Sequence, residues 1–344
     1  MKLYGKSIGP GLKHETEIFE NNDDLLNEAE RVAKIYRSQP YREHCKVCNE
    51  PINNYSMTFT MQGIEYRLCS KCGHLNGLYQ DTKEFAEKIH RNTKYAEQYS
   101  EKERQIYFQR MNDIYSPKVK FLFSAIRNDS QEPLKYKHAD FGAGSGYMVA
   151  GLHARGAAAV GYEMSPAQVN YANKINNFEH VYNVGIDEIY DIAKVTDAGV
   201  VTMIGVIEHL QYPVEMMKAL KENRNVKYVF LTFPMFSPSV YFEQVFPSVM
   251  PGHLALGHTH LFQESSIDFL INQSGFCRKA EWWFGTDIMD LVRSVDICVR
   301  QREGNCKAAE IWRDEMNAII DELQLVIDRH QLASQVHMLL GKDS

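Results

Sequence analysis

The sequence predicts an α/β fold, a mostly parallel sheet with helices on both faces, joined to a small N-terminal module held by cysteines. Three observations carry this. Residues 137–163 run strand, glycine turn, helix and strand, ending on Glu163, which is half of a nucleotide-binding βαβ unit. Beyond it, the wholly apolar stretches 199–204 and 228–233 alternate with helical patterns, as strands buried on both faces do. Upstream, Cys45-Lys46-Val47-Cys48 and Cys69-Ser70-Lys71-Cys72 are separated by twenty residues.

The whole chain sets the frame for these elements. At 344 residues it suggests about two domains, and 44% hydrophobic with 24% charged residues is ample for a core. Net charge −6 and a pI near 6.1 give no general attraction to a phosphate backbone, which disfavours nucleic acid as a partner. No apolar run approaches the roughly 18 residues of a membrane helix. The opening MKLYGKSIGPGLKHETE has no apolar h-region, so a cytoplasmic protein without membrane insertion is expected. Seven cysteines in such a chain point to metal ligation or free thiols before disulfides.

Residues 1–20 show little periodicity. Residues 24–38 form an amphipathic helix, with Leu25, Leu26, Ala29, Val32, Ala33 and Ile35 near a 3.6 period, and Pro40 ends it. The two C-x-x-C pairs have the spacing of a four-cysteine zinc ribbon, with strands at 56–61 and 64–68 around Gln62-Gly63. Four thiolates, Cys45, Cys48, Cys69 and Cys72, fill a tetrahedral zinc and make the site structural. The alternative is four unrelated buried cysteines. His44 and His74 are either exposed neighbours of the metal loops or substitute ligands. Residues 81–127 are helical and carry Tyr95, Tyr99, Tyr107, Phe108, Tyr115 and Phe121, a stripe that reads first as packing. The polar stretch 128–133 is the best boundary. The expected divisions are a helical segment 1–40, the ribbon 41–80, a helical cover 81–130 and the sheet domain 131–344.

Within the sheet domain, Gly142 and Gly144 allow a tight turn and close approach of a ligand. Glu163 stands where a carboxylate accepts both hydroxyls of a ribose. Ser165-Pro166 opens the next helix, 166–175, followed by a strand at 180–183 and the acidic residue Asp187. Residues 205–210 leave the carboxyl end of the fourth strand, where open parallel sheets keep their ligands. There Glu208 and His209 either serve chemistry or cap the helix at 213–221. The connection 234–257 is long enough to be functional, and Phe236, Tyr241, Phe242 and Phe246 can wall a substrate. Residues 258–265 open a helix ending near 274–276. A strand at 278–284, an insertion at 286–330 of two helices, the second at 307–329, and an antiparallel strand at 334–341 complete the chain. Cys277, Cys298 and Cys306 read as buried small hydrophobes.

Asp140-Phe141-Gly142-Ala143-Gly144-Ser145-Gly146, with Glu163 after it and Val206-Ile207-Glu208-His209-Leu210 further on, resembles the class I S-adenosylmethionine-dependent methyltransferases. The resemblance spans residues 136–276 and implies a Rossmann-like sheet of seven strands. It implies that Asp140, Gly142, Ala143 and Gly144 wrap the methionine end of the cofactor, with Gly205 and Val206 facing it. Glu163 would hold the ribose, Met164 would pack on adenine, and Asp187 would accept the adenine amino group or remain a solvated loop acid. A base is needed if the acceptor is a hydroxyl, and His258 and His209 are the candidates, with His260 behind them and Glu208 beside. The pairing with a four-cysteine module resembles enzymes that methylate nucleotide-linked sugars in deoxysugar or surface-polysaccharide pathways. Those that methylate carbon carry a glutamate before the later histidine, where this chain has Gly257, so O-methylation of a sugar-like small molecule is expected. Two rivals are an RNA methyltransferase gripping RNA with the ribbon, and a non-catalytic binding protein on the same core.

Overall fold

The computed structural model describes residues 1–14, 17–91, 103–303 and 306–342. Its strands are β1 (Lys2–Tyr4), β2 (Tyr55–Met61), β3 (Ile64–Cys69), β4 (Leu75–Gly77), β5 (His138–Phe141), β6 (Ala159–Glu163), β7 (Val181–Asn183), β8 (Val200–Met203), β9 (Tyr228–Pro234), β10 (His260–Leu261), β11 (Cys277–Phe284) and β12 (Gln335–Gly341). They form two sheets, ordered β1-β11-β12-β9-β8-β5-β6-β7 and β10-β4-β3-β2. In the large sheet β5 to β9 pair in parallel, while β12 lies antiparallel between β9 and β11. The fold is α/β, as read from the sequence. The sheet has eight strands rather than seven, because β1, from the stretch without periodicity, adds in parallel to the edge strand β11.

Successive residues of β8 and β9 point to opposite faces, and both faces are buried. Val201, Met203, Leu231 and Phe233 meet Ile189, Met216, Met217 and Leu270 from the helices Glu188–Val195, Pro213–Glu222 and Glu264–Ser274. Val200 and Phe230 point the other way, against Leu122, Val149 and Val169 from Ser116–Asn128, Tyr147–His153 and Pro166–Asn176. The helix Ser116–Asn128 therefore packs in the core of the sheet although the polar stretch 128–133 separates it in sequence. Strand order reverses between β5 and β8, which opens a crevice at their carboxyl ends.

The hairpin β2–β3 turns at Gln62 and Gly63, both with positive φ (48° and 69°), as a two-residue turn that follows strand twist requires. Its inner face, with Ile64 and Tyr66, packs on Val32 and Tyr36 of the helix Asn22–Arg37. Of residues 258–265 only the last two are helical. His260 and Leu261 pair with Asn76 and Leu75 as β10, so the later chain is stitched into the module's sheet. The helix begins only at Glu264, where Gln263 and Ser266 form a capping box.

The connection 234–257 holds a helix, Pro238–Val245, and of its aromatic residues Phe236 and Tyr241 meet edge to face. Phe236 packs with Val240 and Leu254 in the module's core, while Tyr241 is exposed. Among the described residues the insertion has three helices, Asp287–Glu303, Cys306–Asn317 and Ile320–Arg329. The break at 318–319 re-phases the last helix so that Ile320, Gln324 and Asp328, spaced four apart, are buried. Among the described residues no helix is long and apolar enough to cross a membrane.

Candidate functional site

The crevice starts at the turn after β5. Gly142, Gly144 and Gly146 have φ of 68°, 52° and 75°, the left-handed region where a side chain is strained. The amides of Gly142 and Ala143 both donate to the carbonyl of Tyr162 (2.8 and 3.0 Å), which folds the turn over the end of β6. A Cβ on Gly142 would stand 2.5 Å from Val206 Cγ2, so this glycine is what lets the first loop and the loop after β8 touch. Tyr107 supports the turn from behind, its hydroxyl donating to Ser145 O at 2.9 Å while it accepts from Asn176. That tyrosine is fully buried and packs on Tyr147, as a stripe of packing residues should. Tyr95 and Tyr99 lie outside the described residues.

Glu163 closes the other wall. Its Oε2 accepts from Gly144 N at 2.9 Å and its Oε1 from Ser165 N at 2.8 Å. The Met164 amide also pulls on this carboxylate, and its roughly four lone-pair positions still leave room for a hydroxyl of a diol. Burial pushes its pKa up, against the pull of those backbone donors. Asp140 lies one residue before the end of β5 and accepts the hydroxyl of Thr202 across to β8; burial pushes its carboxyl up to about 7. Met164 is half-buried beside Glu163. These residues fit the cofactor that the resemblance implies. Asp187 does not join them, being an exposed acid paired with Lys83.

The loop after β8 brings three of the proposed catalytic residues together. Glu208 is fully buried, and burial pushes its pKa up to about 7. His258 Nε2 stands 3.9 Å from Glu208 Oε1, and the rings of His209 and His258 lie 5.1 Å apart. Gly205, with φ 70°, makes the bend that starts this loop, and Val206 carries it back to Gly142. Gly257, with φ 106°, lies beside His209: a Cβ there would be 3.7 Å from its ring. His260 lies behind these three: it is 1% exposed in β10, its Nε2 bonds the backbone carbonyl of Glu208, and burial holds its pKa well below the imidazole range.

His260 belongs instead to a buried seam that sequence reasoning missed. Asp81 accepts from Arg42 at 2.7 Å, Lys46 at 2.8 Å and Thr259. Lys46 Nζ also reaches His260 Nε2 at 2.7 Å and the carbonyl of Glu208 at 3.4 Å. A lysine inside a C-x-x-C pair gives no local signal of such a partner 162 residues away. His74, expected as an exposed neighbour, is fully buried because its ring packs on His260 and Phe262 in this seam. His44 is exposed.

The four cysteines converge. Cys45 and Cys72 Sγ are 3.6 Å apart, Cys48 and Cys69 Sγ 3.5 Å, and all four sulfurs lie within 4.8 Å of one another. A tetrahedron with Zn–S bonds of about 2.3 Å has edges of about 3.8 Å, so the set fits zinc. Each pair ends in a matching turn: Asn49 N returns to Cys45 O and Gly73 N to Cys69 O, with φ of 56° and 72°. Asn76 lies behind, donating toward Cys45 Sγ and accepting from Lys46 N. Cys277 and Cys298 are half-buried, less than small core hydrophobes would be; the side chain of Cys306 lies outside the described residues.

A family model described as a methyltransferase domain matches residues 105–277. No curated protein matches the chain. Among solved structures, the magnesium protoporphyrin IX methyltransferase of Synechocystis PCC 6803 with bound S-adenosylhomocysteine is 13% identical, with a TM-score of 0.44 over 70% of this chain and 92% of that one. A SAM-dependent methyltransferase from Archaeoglobus fulgidus is 13% identical, with a TM-score of 0.41 over 75% of this chain and 98% of its own. One from Geobacter sulfurreducens, in complex with S-adenosylhomocysteine, is 17% identical, with a TM-score of 0.39 over 66% and 91%.

Proposed function

The chain belongs to the methyltransferase-domain family and is an S-adenosylmethionine-dependent methyltransferase, and we propose that its acceptor is a hydroxyl of a sugar-like small molecule carried on a nucleotide. The observation that supports this reading is the convergence of Glu208, His209 and His258, whose donor atoms lie within 4.8 Å of one another, with Glu208 two residues on from Val206, the residue that reaches Gly142. When bound, S-adenosylmethionine supplies an electrophilic methyl group on a sulfonium. Asp140, Gly142, Ala143 and Gly144 hold its amino-acid end, with Gly205 and Val206 closing over them. Glu163 accepts a ribose hydroxyl, and Met164 lies against the base.

The acceptor hydroxyl must lose a proton as it attacks, and the Glu208–His209–His258 cluster is the group placed to take it. Holding the oxygen in line with the methyl group removes the entropic part of the barrier. Gly257, where carbon-methylating relatives would carry a carboxylate, leaves this cluster without a second acid, which favours a hydroxyl acceptor over an acidic carbon. The four cysteines hold a structural zinc, and the module acts as a scaffold: Lys46, between two of the ligands, touches the backbone of Glu208.

The test is incubation of zinc-loaded protein with methyl-labelled S-adenosylmethionine and a panel of nucleotide sugars. Label in a methyl ether, identified by mass and carbon NMR, supports the reading. Label on carbon, or transfer only to RNA, contradicts it.

A further inference from the structure

His258 Nδ1 lies 3.1 Å from the carbonyl of His253, an acceptor, so Nδ1 carries the ring proton and donates it there. Its other nitrogen, Nε2, then presents a lone pair to Glu208 Oε1 at 3.9 Å. The separation is longer than a direct hydrogen bond and leaves room between the two atoms for a cation. Glu208 Oε2 is buried with no hydrogen-bond partner, although the residue is only 3% exposed. With His209 added, one donor atom from each of the three residues lies within 4.8 Å of the others.

Two imidazoles and one carboxylate on one side of a cleft are the donor set of a divalent metal site that keeps open positions. The hydrogen bond from His258 to a backbone carbonyl is the kind of outer partner that fixes a ligating histidine's tautomer. Lys46 comes within 3.4 Å of the Glu208 carbonyl, and Asp81 at 2.8 Å, which it shares with Arg42, offsets part of its charge. We infer that Glu208, His209 and His258 form a second metal site, distinct from the four cysteines, that binds a divalent cation and presents it to the vicinal hydroxyls of the acceptor.

This inference rests on the O-methylation reading and sharpens it. Three protein ligands leave room for two oxygens, which a vicinal diol supplies and an isolated hydroxyl or amine does not. Bound to a cation, the hydroxyl gives up its proton more readily. The proton passes to Glu208 Oε2, the oxygen forms a bond to the methyl carbon, and the carbon–sulfur bond breaks with its electron pair left on sulfur. The products are a methyl ether and neutral S-adenosylhomocysteine.

The probe is Mn2+, read by electron paramagnetic resonance on protein whose four-cysteine site is already filled with zinc. Mn2+ prefers oxygen and imidazole donors and does not displace zinc from thiolates. One saturable Mn2+ per chain is expected. His258→Ala and Glu208→Gln should each weaken it by about 100-fold or more, the upper end of what outer partners alone cost, while S-adenosylhomocysteine still binds and reports a folded crevice. Absence of saturable Mn2+ binding, or binding indifferent to both substitutions, overturns the site. Failure of S-adenosylhomocysteine to bind the unsubstituted protein, with Mn2+ still held, would instead remove the methyl-transfer reading and leave the metal site standing.

Discussion

Replacing Gly142 with alanine tests the contact between the glycine turn and the loop after β8. The added methyl group meets two penalties. At φ 68° an alanine occupies the left-handed region, which costs about 1–2 kcal/mol. Its Cβ would also lie 2.5 Å from Val206 Cγ2, with Cγ1 at 3.4 Å, so Val206 must retreat by about an ångström. Overpacking of that kind costs about 1–3 kcal/mol. Gly142→Ala should therefore lower stability by about 2–5 kcal/mol in urea unfolding. It should also weaken S-adenosylhomocysteine more than tenfold, since both loops that line the crevice shift. Gly142→Ala combined with Val206→Ala should recover the packing part and keep the backbone part, giving a coupling energy of about 1–3 kcal/mol in a double-mutant cycle. Equal stability and affinity in Gly142→Ala and the unsubstituted protein would refute the argument. Strict additivity in the cycle would show that the two loops do not touch.

Two further outcomes follow from the same geometry. Cys72→Ser should lower bound zinc from one per chain to well below one and expose the hairpin β2–β3 to proteolysis, because metal binding here is folding free energy; elemental analysis and limited digestion read both. Asp140 is held neutral up to about pH 7 by burial, so the folded chain binds a proton there that the unfolded chain releases near pH 4. This group's contribution to stability is full below pH 4 and lost as pH rises through 7. The cationic amino group of the cofactor prefers the ionised carboxylate, so affinity for S-adenosylhomocysteine should rise by up to about tenfold per pH unit below 7 and level off above it. Asp140→Asn should flatten that profile in calorimetry.

The glycine turn, Glu163 and the four cysteines were legible because their meaning is local: spacing and order within about 30 residues specify a turn, a strand end or a metal loop. Glu208 and His209 could be placed at the carboxyl end of the sheet, but their meeting with His258 depends on β10 pairing with β4, and two residues of strand leave no periodicity to read. The seam of Arg42, Lys46, Asp81, Thr259 and His260 was invisible for the same reason, since each member looks like an ordinary charged or loop residue until the module docks. β1 is three residues long and earns its place only from the edge of β11. The break at 318–319 carries no proline or glycine, and the helix restarts because Ile320, Gln324 and Asp328 turn inward. Asp187 illustrates the opposite limit, for the right position in the chain placed it on the surface with Lys83.

The most direct measurement is calorimetric titration of zinc-loaded protein with S-adenosylhomocysteine, beside a Glu163→Ala variant whose zinc content and unfolding curve match. Glu163 would hold the diol through a charge-assisted hydrogen bond worth about 1.5–3 kcal/mol. One-to-one binding that weakens by about tenfold or more in the variant is the result predicted here. No binding by the folded, zinc-loaded protein, or binding untouched by Glu163→Ala, would contradict the assignment of this crevice to the cofactor.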